Sequence, residues 1–555
     1  MMEYVEKTLG KIIRDLAKSN PDGLAVDFAD RDFKKTWKEL DEETTAVSKG
    51  LMAIGVNAGD KVSMWATNTP EWIVTLFATA KIGAVLVTVN TNYKTFELEY
   101  LLNQSDTKVL VLMKGFKDSD YVGITRELLG DEKGNSDGKI SCKRLPVLER
   151  VIYSTPGEVP EDMLGFGELK ELGKAITDEE FEEKFASVGV NDIVNMQYTS
   201  GTTGFPKGVM LTHRNIVNNG KCIGDGMKFT DKDKLLICVP FFHCFGLVLA
   251  VMAAITHGTA MVPIDHYSPV PVMNAIEKHR CTAIHGVPTM FIAMLEHPSF
   301  AGRDFSSLRT GIMAGSPCPV EVMNKVVDKM NMKEIVIVFG QTEASPGCTM
   351  TTTEDSLEKR VATVGRAFPG VECKIINPDT GEEQPRGTAG EFCARGYNVM
   401  KGYYKMPEAT AQAIDEEGWL HSGDLCVEDE EGYFKVVGRI KDMIIRGGEN
   451  VYPKEIEEFL YTLPEISDVQ VVGVPSVQYG EEVMAFIILK QGEEMTEEEV
   501  KAAVRRNMAR HKVPKYVKFV DKFPVTASGK IQKFKLREQA IELLRLQDAA
   551  NIETA

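Results

Sequence analysis

Between residues 198 and 209 the chain reads Tyr-Thr-Ser-Gly-Thr-Thr-Gly-Phe-Pro-Lys-Gly-Val. Strand-like apolar residues stand on either side, Ile193 to Tyr198 before and Val209 to Leu211 after. The stretch holds the hydroxyls of Thr199, Ser200, Thr202 and Thr203, the glycines Gly201, Gly204 and Gly208, and Lys207. Glycines let a backbone turn tightly and bring its N–H groups against an anion. Hydroxyls add donors, and a lysine adds a fixed charge. This is the composition of a phosphate-gripping loop. It is not a Walker loop, because Pro206 and Gly208 flank Lys207 where Gly and Ser/Thr are required. Nor does it open a helix as a dinucleotide fingerprint does. Pro206 and the apolar run after it favour strand-loop-strand. A plain Ser/Thr/Gly surface turn is the competing interpretation.

A chain of 555 residues has room for two or more domains and a sizeable core. With 43% hydrophobic and 26% charged residues it has the make-up of a soluble globular protein. A net charge of -17 argues against a general nucleic-acid binder. The 10 cysteines are scattered, with no Cys-x-x-Cys pair, so neither a zinc site nor a disulfide framework is indicated. That usage suits a reducing cytoplasm. The N-terminus resembles neither a secretory nor a transit signal, and the most apolar run, Leu247 to Ile255, is too short for an integral membrane segment.

Residues 61–91 alternate strand, helix and strand, a βαβ pattern that implies a parallel sheet flanked by helices. The segment 114–145, rich in Gly, Asp, Lys and Ser, is expected to be a surface insertion. Later strands end at Ala283–Pro288, at Met313–Pro319 ahead of a helix over 320–330, and at Ile335–Phe339. Ligands in open α/β sheets sit at such strand ends, so the three point to one cleft. Residues 361–437 turn to short strands and Gly/Pro/Asp turns, a small β-rich subdomain. The fold class is therefore α/β: a large N-terminal domain over 1–438 with helix-flanked sheets, and a small α+β C-terminal domain over 443–555. From 501 to 537 twelve Lys/Arg face one acid, Asp521. That cap suits a polyanionic small molecule, although a solvated basic face explains most of its charges equally well. Lys530 differs, standing on the turn Thr526-Ala527-Ser528-Gly529-Lys530.

Six motifs, in order, carry a resemblance: Thr199 to Gly208, Phe339-Gly340-Gln341-Thr342-Glu343, His421-Ser422-Gly423-Asp424, Gly438-Arg439-Ile440-Lys441-Asp442, Gly447-Gly448-Glu449-Asn450 and Ser528-Gly529-Lys530. In these the chain resembles the adenylate-forming acyl-CoA synthetases over nearly its whole length. Lys441 to Pro453 and Ser528 to Arg537 look most like the medium-chain fatty acyl-CoA synthetase branch.

The resemblance implies two steps at one site. A carboxylate attacks the α-phosphate of ATP, giving acyl-AMP and pyrophosphate, and the thiol of coenzyme A then displaces AMP. By the same resemblance Thr199, Ser200, Gly201, Thr202, Thr203, Gly204 and Lys207 would hold the β- and γ-phosphates. Glu343 would bind Mg2+, Thr342 would meet the α-phosphate, and Asp424 would accept from the ribose hydroxyls. Arg439 would face ribose or phosphate. Gly315, Ser316, Pro317 and Gly340 would form the adenine slot, and Gln341 would also bind the nucleotide. Lys530 would pair with the acyl carboxylate, Lys441 would lie in a hinge over 439–442, and Gly447 and Gly448 would line the pantetheine path. His243 would sit beside the reacting carboxylate, although a histidine among aromatics also serves as a core residue.

The acyl pocket is expected among Phe245, Leu247, His285 to Met290, Met313 and Ala344 to Gly347. Those positions carry no Lys or Arg, so the expected substrate is a medium-chain fatty acid. Short-chain and aromatic or alicyclic acids stay open, as does a module that loads a carrier protein. The expected partners are small molecules, with no nucleic acid, and a homodimer is the one protein assembly considered.

Overall fold

Lys61–Trp65 and Val85–Thr88 lie parallel, joined by the helix Pro70–Lys81. Their residues are buried at nearly every position, as suits strands covered on both faces. The computed structural model describes residues 4–130, 139–199, 206–315, 318–446, 449–476, 479–508, 510–526 and 529–547. It extends this βαβ unit into an eight-stranded sheet in the order Gly402–Tyr403, Lys207–Thr212, Ile193–Thr199, Val85–Thr88, Lys61–Trp65, Thr107–Leu112, Arg150–Tyr153 and Leu164–Gly165. A seven-stranded sheet has the order Glu334–Val336, Thr310–Ile312, Ala283–Ile284, Lys234–Ile237, Ala260–Pro263, Leu24–Asp27 and Lys34–Thr36. Both sheets and the helices packed on them share one apolar core.

A buried amide stitches the two sheets where their strands end. Asn68 Nδ2 donates to the carbonyls of Val239 and Ile264 at 3.0 and 3.1 Å, and its Oδ1 accepts the Phe241 N–H at 2.8 Å. A buried amide with all its bonds made specifies one arrangement of its neighbours. Here it fixes the segment 239–246, which carries His243, at the seam. The run behind it is a π-helix, Phe245–Met252, that continues as Ala253–Ile255, and every residue of it is buried. Among the described residues no helix is long and apolar enough to cross a membrane.

Residues 361–437 supply the antiparallel strands Val371–Ile376, Gly390–Gly396 and Leu420–Glu428, which with Phe434–Arg439 make a four-stranded sheet. The stretch is not closed on itself. Phe392 and Phe434 belong to the main core, and Gly402–Tyr403 leaves to pair with Lys207–Thr212. After Arg439 comes an α+β unit with the strands Ile444–Arg446, Glu449–Val451, Ile466–Ser476, Gly480–Leu489 and Tyr516–Phe519 and the helices Pro453–Leu460, Glu497–Asn507 and Lys533–Leu543. Its apolar residues form clusters of their own, around Val471 and Val500 on one side and Phe486 and Leu536 on the other. The molecule is thus a large N-terminal domain followed by a small C-terminal one.

Two stretches differ from expectation. Ile335–Phe339 is not one strand but the ends of two, Glu334–Val336 and Val338–Gly340, in different sheets. The break is at Ile337, whose N–H donates to Thr351 Oγ1 at 2.9 Å instead of continuing the ladder. The described part of 114–145 is packed rather than a loose insertion. Its polar composition hides a helical stripe, Tyr121, Thr125 and Leu128, in the helix Tyr121–Leu129. Tyr121 stacks on Trp65 with ring centroids 3.7 Å apart and donates to the Thr91 carbonyl at 2.6 Å.

Lys81, fully buried, pins the helix Trp37–Ala53 to Pro70–Lys81. Its ammonium is surrounded by the Asp41 carboxylate at 2.6 Å, the Asp41 carbonyl at 2.8 Å, and the hydroxyls of Thr44 and Thr45 at 2.8 Å each. Burial lowers its pKa to about 8, with Asp41 opposing. The unfolded chain therefore binds more protons than the folded one between pH 8 and the ordinary lysine value, and this group's contribution to stability rises with pH across that window. Unfolding in denaturant should show wild type gaining up to ~3 kcal/mol on Lys81→Met between pH 8 and 10.5. Parallel pH profiles would contradict this.

Candidate active site

Ile193–Thr199 and Lys207–Thr212 pair antiparallel, with Thr199 opposite Lys207, so the gripping sequence does lie between two strands. Ser200, Gly201, Thr202, Thr203 and Gly204 lie outside the described residues, as do Ser316, Pro317, Gly447 and Gly448. The two ends of the loop are well anchored. Tyr100 Oη donates to the Pro206 carbonyl at 3.0 Å, and Tyr198 Oη donates to Gln104 Oε1. The Lys207 ammonium lies 4.7 Å from the ring centroid of Tyr403, and the Tyr403 hydroxyl donates to Glu343 Oε1 at 2.8 Å. Thr199 Oγ1 donates to the same oxygen at 3.4 Å. Glu343 is also held through its backbone, whose carbonyl accepts the Met400 N–H at 2.8 Å.

Upstream of Glu343 the chain folds back on itself at Gly340. Its φ is 155°, and a Cβ there would stand 1.9 Å from the Pro346 carbonyl oxygen. Only glycine fits so close an approach. Gly340 is exposed, as is Gly315 (φ 85°) at the end of Thr310–Ile312, whereas Gln341 is half-buried. Thr342 is 8% exposed, with its hydroxyl 3.5 Å from Cys244 Sγ. That contact joins the 340–344 turn to His243. The His243 Nδ1 accepts the Phe245 N–H at 3.2 Å, so the neutral ring carries its proton on Nε2. Burial, reinforced by the charge of Lys530, lowers the His243 pKa to about 4. Near neutral pH it is an uncharged N–H donor.

Asp424 and Arg439 are cross-strand partners joined by an ion pair, Nε to Oδ1 at 2.6 Å. The residues before Asp424 serve to aim it. Ser422 Oγ donates to the Phe392 carbonyl at 2.6 Å and accepts the Asp424 N–H at 3.1 Å. Glu391 accepts the Gly423 N–H at 2.9 Å through one oxygen and meets His421 Nδ1 at 3.1 Å with the other. Glu391, Cys393 and His421 are of metal-ligand type and close together, but these bonds already engage the carboxylate and the imidazole. The Asp424 carboxylate and the charge on Glu343 hold the Arg439 pKa above the ordinary arginine value.

The small domain completes the cleft. The Gly529 carbonyl accepts from Thr289 Oγ1 at 3.4 Å, which seats the turn tip on the segment behind Ala283–Ile284. Lys530 is exposed to solvent yet crowded by protein on several sides, as a side chain in a cleft is. The loss of bulk water, and then the repulsion of Arg439, lower its pKa below the ordinary lysine value, while Asp424 and Asp442 oppose the shift. Lys441 is exposed in the turn just after Arg439. Through these contacts Thr199, Lys207, Thr342, Glu343, Asp424, Arg439, Lys530 and His243 surround one cleft. Two contributors escaped the sequence reading, Tyr403 and Glu391, which lie outside the motifs singled out.

The positive charges of Lys207, Arg439 and Lys530 suit a polyanionic ligand, as an adenylate-forming enzyme requires. The model for AMP-binding enzymes matches residues 13–404 and that for the AMP-binding enzyme C-terminal domain matches 455–530, so the chain belongs to the AMP-binding enzymes. It is an acyl-CoA synthetase, an acid–thiol ligase that uses ATP and coenzyme A. It is 50% identical to YngI of Bacillus subtilis (strain 168) over 549 residues, 99% of this chain and 100% of that one. It is 40% identical to the mitochondrial medium-chain acyl-CoA ligase ACSF2 of Bos taurus, over 97% of this chain and 88% of the relative. Among solved structures, the anthranilate CoA ligase AuaEII in complex with anthranoyl-AMP matches with a TM-score of 0.86 at 25% identity, covering 98% of each chain.

The fold-back at Gly340 gives a direct test. Gly340→Ala should reduce the unfolding free energy by at least about 2 kcal/mol, combining a positive φ with a backbone clash. Gly381→Ala, at φ 74° with open space around it, should cost about 1 kcal/mol. Equal losses would contradict the clash.

Proposed function

We propose that the enzyme makes medium-chain fatty acyl-CoA in two half-reactions at this cleft. In the first, a carboxylate oxygen attacks the α-phosphorus of ATP and pyrophosphate leaves. In the second, the coenzyme A sulfur attacks the acyl carbonyl of the mixed anhydride and AMP leaves. The first step calls for positioning and charge stabilisation, the second for donors near the developing oxyanion.

In this reading Lys207 and the Thr199–Gly204 loop hold the two phosphates that depart, and Thr342 meets the one that stays. Asp424 accepts from the ribose hydroxyls, Arg439 faces ribose or phosphate, and Gly315, Ser316, Pro317 and Gly340 form the slot for a flat base, with Gln341 also binding the nucleotide. Lys530 draws the acyl carboxylate and α-phosphate together, and His243 offers its Nε2–H to the carboxylate. Both described hydrogen bonds to the Glu343 carboxylate go to Oε1, and its hard oxygen donors fit Mg2+, which takes one or two carboxylates along with water and phosphate. When bound, Mg2+ would offset phosphate charge. The unit after a boundary at 438 then turns about 439–442, with Lys441 in the hinge, and brings Gly447 and Gly448 to the pantetheine path.

The chain length of the acid rests on one observation: the wall expected around the acyl tail offers no charge. Phe245, Leu247, Val287, Met290 and Met313 are apolar and buried. His285, expected to line the pocket, lies inside the wall. It is fully buried, its Nε2 donates to the Leu249 carbonyl at 3.0 Å, its Nδ1 accepts the Ile312 N–H, and burial lowers its pKa to about 4. A neutral apolar wall suits an alkyl tail, and the similarity to a medium-chain ligase agrees. The anthranilate ligase favours an aromatic acid as the second reading, at lower identity.

Thioester formation measured with free coenzyme A across C2 to C16 acids, benzoate and anthranilate decides between them. The highest kcat/KM should fall between C6 and C12, at least tenfold above benzoate. A preference for the aromatic acids would overturn the assignment, and activity only with a carrier protein would overturn the thiol acceptor.

A further inference from the structure

We propose that Tyr403 is a positioning residue for the metal- and phosphate-binding half of the site, holding the Glu343 carboxylate through its hydroxyl and the Lys207 ammonium on its ring face. The proposal rests on the reading of Glu343 as the metal carboxylate and adds a residue to it. A carboxylate only accepts, so the proton between Tyr403 Oη and Glu343 Oε1, 2.8 Å apart, belongs to the phenol. The bond engages Oε1 and fixes how the carboxylate rotates, as an outer partner does for a metal ligand.

The ring has a separate task. Lys207 and Glu343 carry opposite charges, and the ammonium meets the face of the Tyr403 ring, 4.7 Å from its centroid. An aromatic face attracts a cation without neutralising it. Placed between the two charges, the ring gives each a partner and keeps both available to a polyphosphate and its metal. Its own position is fixed. The Tyr403 N–H donates to Thr410 Oγ1 at 2.9 Å, Tyr403 pairs with Val209, and the Tyr404 N–H donates to the Gly208 carbonyl at 2.8 Å. The strand after Lys207 and the residue that holds Glu343 thus move as one body.

The test is Mn2+·ATP binding to the full chain, read from the loss of the free Mn2+ electron paramagnetic resonance signal, with thermal unfolding of each ligand-free variant as the control for folding. Tyr403→Phe keeps the ring and should weaken Mn2+·ATP binding about tenfold while leaving metal-free ATP binding in EDTA unchanged. Half-saturation by Mg2+ in turnover should rise similarly, with KM for acid and coenzyme A unmoved. Tyr403→Leu should weaken metal-free ATP binding as well, since Lys207 loses its seat. Glu343→Gln should lose at least as much metal affinity as Tyr403→Phe, and the double variant no more than Glu343→Gln alone. Wild-type Mn2+ affinity in Tyr403→Phe, or multiplying losses in the double variant, would overturn the proposal while leaving the role of Glu343 standing. Unchanged Mn2+ affinity in Glu343→Gln would overturn both.

Discussion

The site depends on placing a lysine of the small domain against the charge at the end of the large one. Lys530 comes from one domain and Arg439 from the end of the other's last strand, and desolvation first, then the repulsion of Arg439, lowers the Lys530 pKa. Asp424, paired with Arg439 at 2.6 Å, and Asp442 oppose that shift. A polyanion beside these groups would offset their repulsion, and a nucleotide triphosphate is a natural partner of such an arrangement.

Holding such charges in place requires stiffness, and the fold supplies it locally. The amide of Asn68 fixes the seam between the sheets, Ser422 and Glu391 aim Asp424, and the fold-back at Gly340 sets Thr342 and Glu343. His243 stays neutral because it is buried and the charge of Lys530 adds to the penalty on protonating it, while its Nδ1 accepts a backbone N–H. The candidate site is therefore supported from different sheets: Lys207 and Tyr403 from the eight-stranded one, Asp424 and Arg439 from the four-stranded one.

Much of this was legible in the residues. The βαβ start, the strand-loop-strand around Lys207, the antiparallel stretch after 361 and the α+β unit after Arg439 each have a local signature of apolar period or turn chemistry. The charged members of the site were legible because each sits in a short motif. Tyr403 was not, because an aromatic beside a glycine in a strand has many uses, and its meaning comes from a pairing with Lys207–Thr212 nearly two hundred residues earlier in the chain. Glu391 was hidden for the same reason, since its partners Gly423 and His421 lie on the neighbouring strand. Ile335–Phe339 was misread as one strand because a bond from Ile337 to Thr351, a side chain distant in sequence, ends the ladder. The helical stripe in 121–128 was masked by the polar residues around it.

The proposed division of labour gives Lys530 the step that makes the acyl-adenylate and leaves it dispensable for the step that consumes it. The direct measurement takes Lys530→Ala through both half-reactions, carboxylate-dependent ATP–pyrophosphate exchange for the first and thioester formation from supplied acyl-AMP and coenzyme A for the second. The account predicts a loss of at least about a hundredfold in exchange, with thioester formation within a few-fold of wild type. Equal losses in the two assays would contradict it.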